Sequence, residues 1–234
     1  MEMMSVDEHD TEQNKVWYLK RNRFFVDTDT AGVERFEHLF TIVEYPRRAM
    51  IFDHGDPTRV VYFIKRGAVR IARLTEDGKE VTVAVLGPGD LFGVEALFGE
   101  GPRTTVAIAI DDVLLCTSKA EDLFSVLRTD PHLAMNVAKV LNERLGDAIS
   151  TMEDLAYAKV GDRLMHLFRR LASEHGVRVV GGTRIDVRLT HADLASLIGS
   201  TRETVSLELA HLTKAGHIGH DGRAFVVPDQ EAAL

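Results

Sequence analysis

The stretch that most constrains this chain runs from Leu189 to Ile218, LTHADLASLIGSTRETVSLELAHLTKAGHI. It reads as two short helices around a one-glycine corner. Thr190 can cap the first, with Asp193 three residues on to complete a capping box. Leu194, Leu197 and Ile198 follow at helical spacing. Gly199 stands where a helix of this length ends. Ser200 is the expected cap of the second helix, with Glu203 closing a second box. Val205, Leu209 and Leu212 give that helix a buried stripe, which leaves Arg202, Glu203 and Ser206 on or near its outward face. Two capped helices, a tight corner and polar residues at the second helix's start are the plan of a DNA-reading helix-turn-helix.

Such a module needs local positive charge, yet the 234-residue chain carries a net charge of −8. The charge is uneven. Lys159 to Val227 holds ten Lys and Arg against seven Asp and Glu, a net of +3, with six of the ten histidines; residues 1–158 hold eighteen against twenty-seven, a net of −9. A basic C-terminal third on an acidic body is the asymmetry of a DNA-binding module. Binding should weaken steeply with salt, with the acidic body held away from the duplex. With 45% hydrophobic residues the chain can bury a sizeable core. No run of about 18 apolar residues occurs, so no membrane span is expected. The opening MEMMSVDEHDTEQNK is acidic and polar, unlike a secretory leader. The single cysteine, Cys116, excludes an internal disulfide and fits a cytoplasmic protein.

Residues 1–18 read as a disordered tail, and the segment on to Phe40 as short helices. From Thr41, short apolar or alternating runs are punctuated by Gly55, Gly67, Gly78, Gly87, Gly89, Gly93 and Gly101. Asp77-Gly78, between Leu74 and Val81, is a hairpin signal. Evenly spaced short strands predict an antiparallel β-roll within residues 19–129. Asp130-Pro131 is a helix start, a capping Asp before a proline at the first helical position. The helix it opens spans 130–158. Its Leu141, Leu145, Ala148, Met152 and Leu155 fall 4, 3, 4 and 3 residues apart, an a/d seam for pairing two helices. The other use of that stripe is packing on the chain's own barrel. Val160 to His175 is a further amphipathic helix, with Gly161-Asp162 as the expected hinge. Val177–Leu189 reads as a β-hairpin around Gly181-Gly182, and His217–Val227 as a β-ribbon turning at Asp221-Gly222, a wing. Residues 159–230 thus form a winged helix-turn-helix, and the fold class is α+β.

In this order the parts resemble the Crp/Fnr family of bacterial transcription regulators over roughly residues 40–228. Three stretches carry the resemblance: GPGDLFGVEALFGEGPRTTVA in the roll, DPHLAMNVAKVLNERL opening the long helix, and GSTRETVSLELAHLTKAGHI followed by HDGRAFVV. The resemblance implies a homodimer with an N-terminal cyclic-nucleotide-binding-type β-roll. It also implies an activator on a palindromic site in double-stranded promoter DNA, touching RNA polymerase.

In the family's motif the base readers fall at Arg202, Glu203 and Ser206. Arg202 can donate to guanine O6 and N7, Glu203 can accept from cytosine N4, and Ser206 can reach a base edge or a phosphate. Ser200, Thr201 and Thr190 are candidates for phosphate contacts. Leu207 stands where many members carry an arginine. It cannot donate but can touch a thymine methyl, so an altered preference at one base pair per half-site is expected.

The resemblance also implies an effector site after the Gly89-Asp90 turn. Gly93 fits its tight turn, and Arg103-Thr104 fits the arginine–hydroxyl pair that holds a cyclic phosphate. The glutamate that takes the ribose hydroxyl is displaced: Val94 holds that position and Glu95 comes one residue late. Ala148 and Ile149 replace the two hydroxyl residues that contact adenine across the dimer in cyclic-AMP-binding members. Each lost hydrogen bond is worth about 1 kcal/mol. Cyclic AMP or a related nucleotide is therefore one candidate, and no effector or a different one is the other.

Among the ten histidines no H-x-H, H-x-x-x-H or H-E-x-x-H spacing occurs. No P-loop, nucleophile elbow or singled-out carboxylate pair is present, so neither a metal nor an enzymatic activity is expected. The rival from another class is a cyclic-nucleotide-binding regulatory subunit acting on a partner protein. Arg202-Glu203 on a capped helix ahead of a wing weighs against it.

Overall fold

The computed structural model describes residues 15–16, 18–76, 80–99 and 101–229. The glycine-punctuated half forms two antiparallel four-stranded sheets. One orders β1 (Thr41–Tyr45), β8 (Val113–Lys119), β3 (Val60–Arg66) and β6 (Leu91–Phe92); the other orders β2 (Met50–Phe52), β7 (Val106–Ala109), β4 (Val69–Leu74) and β5 (Glu80–Leu86). Apolar residues from both, among them Phe52, Tyr62, Ile64, Val69, Ile71, Phe92 and Leu115, form one buried cluster. Leu74 pairs with Glu80 across the expected β4–β5 hairpin; its Asp77-Gly78 turn lies outside the described residues. So do residues 1–14 of the expected tail. Lys15, Val16 and Tyr18 are helical, however, and Val16 packs on the core, so the tail drawn to residue 18 ends earlier.

Short helices cover the roll: α1 (Thr30–Glu34), α2 (Glu95–Phe98) and α3 (Ala120–Thr129). They lead to the long α4 (Pro131–Tyr157). Asp130 caps α4 by accepting from the His132 and Leu133 amides, which satisfies donors the helix itself leaves unpaired. A knot of edge-to-face rings seats the first half of α4. Phe24 lies 5.5 Å from Phe63 and Phe40 5.1 Å from Phe63, and Leu133, Val137 and Val140 pack into the same cluster. Asn136, buried among them, donates to the Phe24 and Val26 carbonyls at 3.0 and 2.9 Å. Past Val140 the helix continues without a break, and its apolar stripe turns to solvent. Leu145 is 59% and Met152 69% exposed, and Leu141, Ala148 and Leu155 are exposed too. The stripe is therefore not consumed by the chain's own barrel.

The C-terminal unit comprises α5 (Val160–His175), β9 (Gly176–Val179), β10 (Gly182–Ile185), α6 (His191–Leu197), α7 (Arg202–Lys214), β11 (Gly219–Asp221) and β12 (Ala224–Pro228). Its sheet order is β11-β12-β10-β9, so the wing and the first hairpin are one surface. Leu164, Leu167, Phe168 and Leu171 of α5 are buried against α6 and α7, as their spacing predicts. The hinge differs from expectation. The backbone turns at Ala158 and Lys159, both extended. Gly161 lies inside α5, where a Cβ would come within 3.1 Å of Glu208 Oε2. Its small size admits α7 rather than a bend.

The C-terminal unit docks on the roll. The Thr82 amide of β5 donates to Ser196 Oγ of α6 at 2.8 Å, and Ala68 and Val85 of the roll join the C-terminal core cluster.

Candidate nucleic-acid interface and sensor cleft

The reading head follows from its caps. At the start of α6, Thr190 and Asp193 form a reciprocal box: the Asp193 amide donates to Thr190 Oγ1 at 3.2 Å, and the Thr190 amide to Asp193 Oδ2 at 2.8 Å. Gly199 takes φ +60° at the corner, a conformation that favours glycine. The cap of α7 is Thr201, not Ser200. Thr201 Oγ1 accepts from the Thr204 amide at 3.2 Å, while Ser200 still donates its own amide back to Ala195. Two adjacent hydroxyl residues can each cap, and geometry selects the one three residues before Thr204. Glu203 is consequently not a capping-box partner. Arg202 and Glu203 stand exposed, and among the described residues neither side chain makes a hydrogen bond or ion pair. Val205 and Leu209 are buried beneath them.

Ser206 is placed differently from the exposed pair. Its hydroxyl donates to the Arg202 carbonyl at 2.8 Å and meets His191 Nδ1 at 2.8 Å. It ties α7 to the first residue of α6, a contact that spacing alone does not reveal. Leu207, one residue on, is 65% exposed. Behind α7, the wing exposes His217, His220 and Arg223.

The residues expected at an effector site are brought partly together. Gly93 adopts φ +78°, and a Cβ there would come within 2.8 Å of the Val60 carbonyl; no other residue fits this turn. Arg103 is 3% exposed. It donates to the Gly93 carbonyl at 3.1 Å and to the Val60 carbonyl, and it pairs with Glu95 Oε1 at 2.8 Å. Thr104 is exposed. It is its neighbour Thr105 that lines the adjoining cleft of about 1030 Å³. That cleft lies between the roll, α4 and the docked C-terminal unit, and both basic and acidic groups line it: Arg23, Arg144 and Arg170 with Asp90, Asp147 and Glu174. Burial pulls the Arg144 guanidinium down from its ordinary value, against Asp90 and Glu95, which raise it. Burial also raises the Glu174 carboxyl, helped by Asp147.

Among the described residues no cluster of three or more His, Cys, Asp or Glu could hold a metal, and no helix is long and apolar enough to cross a membrane. Cys116 is fully buried in β8, and burial pushes its thiol up to about 11.

A barrel of this kind joined by a long helix to a winged helix-turn-helix defines a two-domain type of transcription regulator. The cyclic nucleotide-binding domain family matches residues 42–130, and the Crp-like helix-turn-helix domain matches residues 162–232. The chain is 30% identical over 213 residues to a CRP-like cAMP-activated global transcriptional regulator of Mycobacterium tuberculosis, covering 91% of this chain and 95% of the relative. It is 35% identical over 170 residues to a global nitrogen regulator of a Nostoc species, covering 72% and 76%. Among solved structures, the c-di-GMP responsive global regulator CLP of Xanthomonas campestris matches with a TM-score of 0.71 at 26% identity, covering 86% of this chain and all of that one. The chain belongs to the Crp/Fnr family of transcription regulators.

Proposed function

We propose that two copies of this chain pair along Leu141, Leu145, Ala148, Met152 and Leu155 and present their α7 helices to a palindromic promoter site. The observation that carries this reading is the exposed Arg202-Glu203 at the capped start of α7, ahead of a wing and without a partner among the described residues. Arg202 reads guanine through O6 and N7, and Glu203 accepts from cytosine N4. Thr201, Ser200 and Thr190 lie at the two helix starts, where backbone amides and hydroxyls suit phosphates. Ser206 spends its hydroxyl on His191 and the Arg202 carbonyl, so its role is to hold α7 in place.

The protein acts in the cytoplasm, has no catalytic role, and meets RNA polymerase at the promoter as an activator. The relatives' names point to different signals, cAMP, nitrogen status and c-di-GMP, so membership of the family does not name the effector. Gly93, Glu95, Arg103 and Thr104 mark the segment where an effector would be sensed.

The test is a gel shift on a palindromic probe selected from a random-sequence pool. Arg202→Ala should weaken binding by about tenfold or more, the worth of a bidentate guanine contact. Equal binding by Arg202→Ala and wild type would place the reading head elsewhere.

A further inference from the structure

The Gly93–Arg103 segment holds an anion site that is already filled. The Arg103 guanidinium rests over the Phe52 ring at 4.5 Å and is all but sealed from solvent. Its donors go to the Val60 and Gly93 carbonyls, and its charge is met by Glu95 Oε1 at 2.8 Å. Arg144, reaching across from α4, donates to the Leu91 carbonyl and also lies in the field of Glu95. Glu95 is thus the anion that one arginine of the roll grips and one of the long helix attracts. Its side chain is 47% exposed on the cleft side, whereas that of Arg103 is 2% exposed behind it. An incoming phosphate would meet the carboxylate before it met the guanidinium.

We propose that Glu95 is a built-in counter-anion that occupies the place on Arg103 where a ligand's phosphate would sit, so that the cleft rejects phosphate esters. The proposal rests on the reading of Gly93–Arg103 as the effector segment. A like charge beside the site disfavours a second anion, and both terminal nitrogens of Arg103 are engaged, which leaves only its buried Nε without a partner. The neighbours do not compensate. Val94 is apolar and buried, and Thr104 is exposed outside the cleft lining.

The experiment is calorimetric titration of the full-length protein with cyclic AMP, and with adenosine as the phosphate-free probe. Wild type should show weak or no saturable binding of cyclic AMP. Glu95→Gln keeps the shape and removes the charge, and should bind cyclic AMP at least about tenfold more tightly, equivalent to about 1.4 kcal/mol. Arg103→Gln added to it should abolish the gain, and adenosine should not distinguish wild type from Glu95→Gln. Thermal unfolding checks the fold of each variant, and Glu95→Ser replaces Glu95→Gln if the latter does not fold. Equal cyclic AMP affinity in wild type and variant, including no binding by either, would overturn the proposal. So would weaker binding by the variant, or an equal gain for adenosine. A wild-type gel shift without nucleotide is run beside it. Its failure would count against the DNA-binding reading alone and leave the titration comparison standing.

Discussion

His175, the last residue of α5, sets its ring directly against Gly87 of the roll. A Cβ at Gly87 would come within 2.6 Å of His175 Nδ1. The ring is buried between the two units, with Glu174 at 3.6 Å and Asp90 at 3.9 Å from Nε2. In the same turn the Gly87 amide donates a hydrogen bond to Asp90 Oδ2 at 2.9 Å, and Arg23 lies 3.4 Å from the other carboxylate oxygen. Sensor roll, N-terminal segment and DNA-binding unit therefore meet at one four-residue turn.

Burial holds the His175 imidazole below its ordinary 6.5, and Asp90 opposes it only in part. The unfolded chain then takes up the proton first as pH falls, so stability is intact above about 6.5 and declines below it. Glu174 works in the opposite sense. Its carboxyl is raised above 4.5 by burial, so its cost to the fold is relieved as pH falls through that raised value. The thermal midpoint of wild type should drop more between pH 7.5 and 5.5 than that of His175→Gln. Identical pH slopes would remove His175 as the titrating group.

Leu145 and Met152 are the most exposed of the large side chains on the α4 stripe. Leu145→Glu or Met152→Glu would bury an unpaired carboxylate at the seam of a dimer. Pairing should weaken by about two orders of magnitude or more, read by sedimentation, with DNA affinity falling alongside. A variant as dimeric as wild type would show that the chains pair elsewhere.

The cap of α7 yields a comparison between adjacent residues. Thr201→Ala should cost about 1 kcal/mol of stability in a urea titration, whereas Ser200→Ala should stay within about 0.5 kcal/mol. The reverse order would return the cap to Ser200.

Leu207 is exposed and cannot donate a hydrogen bond. Leu207→Arg should shift one base pair of each half-site toward guanine, with a gain of about 1 kcal/mol or more for that base. Selection from a random-sequence pool reads this directly, and an unchanged consensus would mean that Leu207 does not face a base.

The helices, the wing and the exposed stripe were legible because helical spacing and turn residues are local signals. Leu164, Phe168, Val205 and Leu209 announce their buried faces within a few residues of each other. The cap of α7 was legible only to within one residue, since Ser200 and Thr201 carry the same chemistry. The pairing of Glu95 with Arg103 was not legible. It depends on the positive φ at Gly93 folding α2 back over the strand ends. The docking of His175 on Gly87 was invisible for a stronger reason. It joins residues from two units, and neither position carries a pattern that names its partner. Gly161 misled in the same way, since its smallness answers Glu208 of another helix rather than a bend of its own.

Leu155 carries one more consequence. It is half exposed on the stripe of α4, yet its Cδ2 sits so near the corner of the reading head that a Cβ on Gly199 would come within 2.8 Å of it. In the proposed pairing, one side chain would thus serve a contact inside the chain and a surface offered to a second copy. The first contact forms at any dilution, and the second would be second order in the protein. How firmly α7 is held would then become a function of how much of this protein is present.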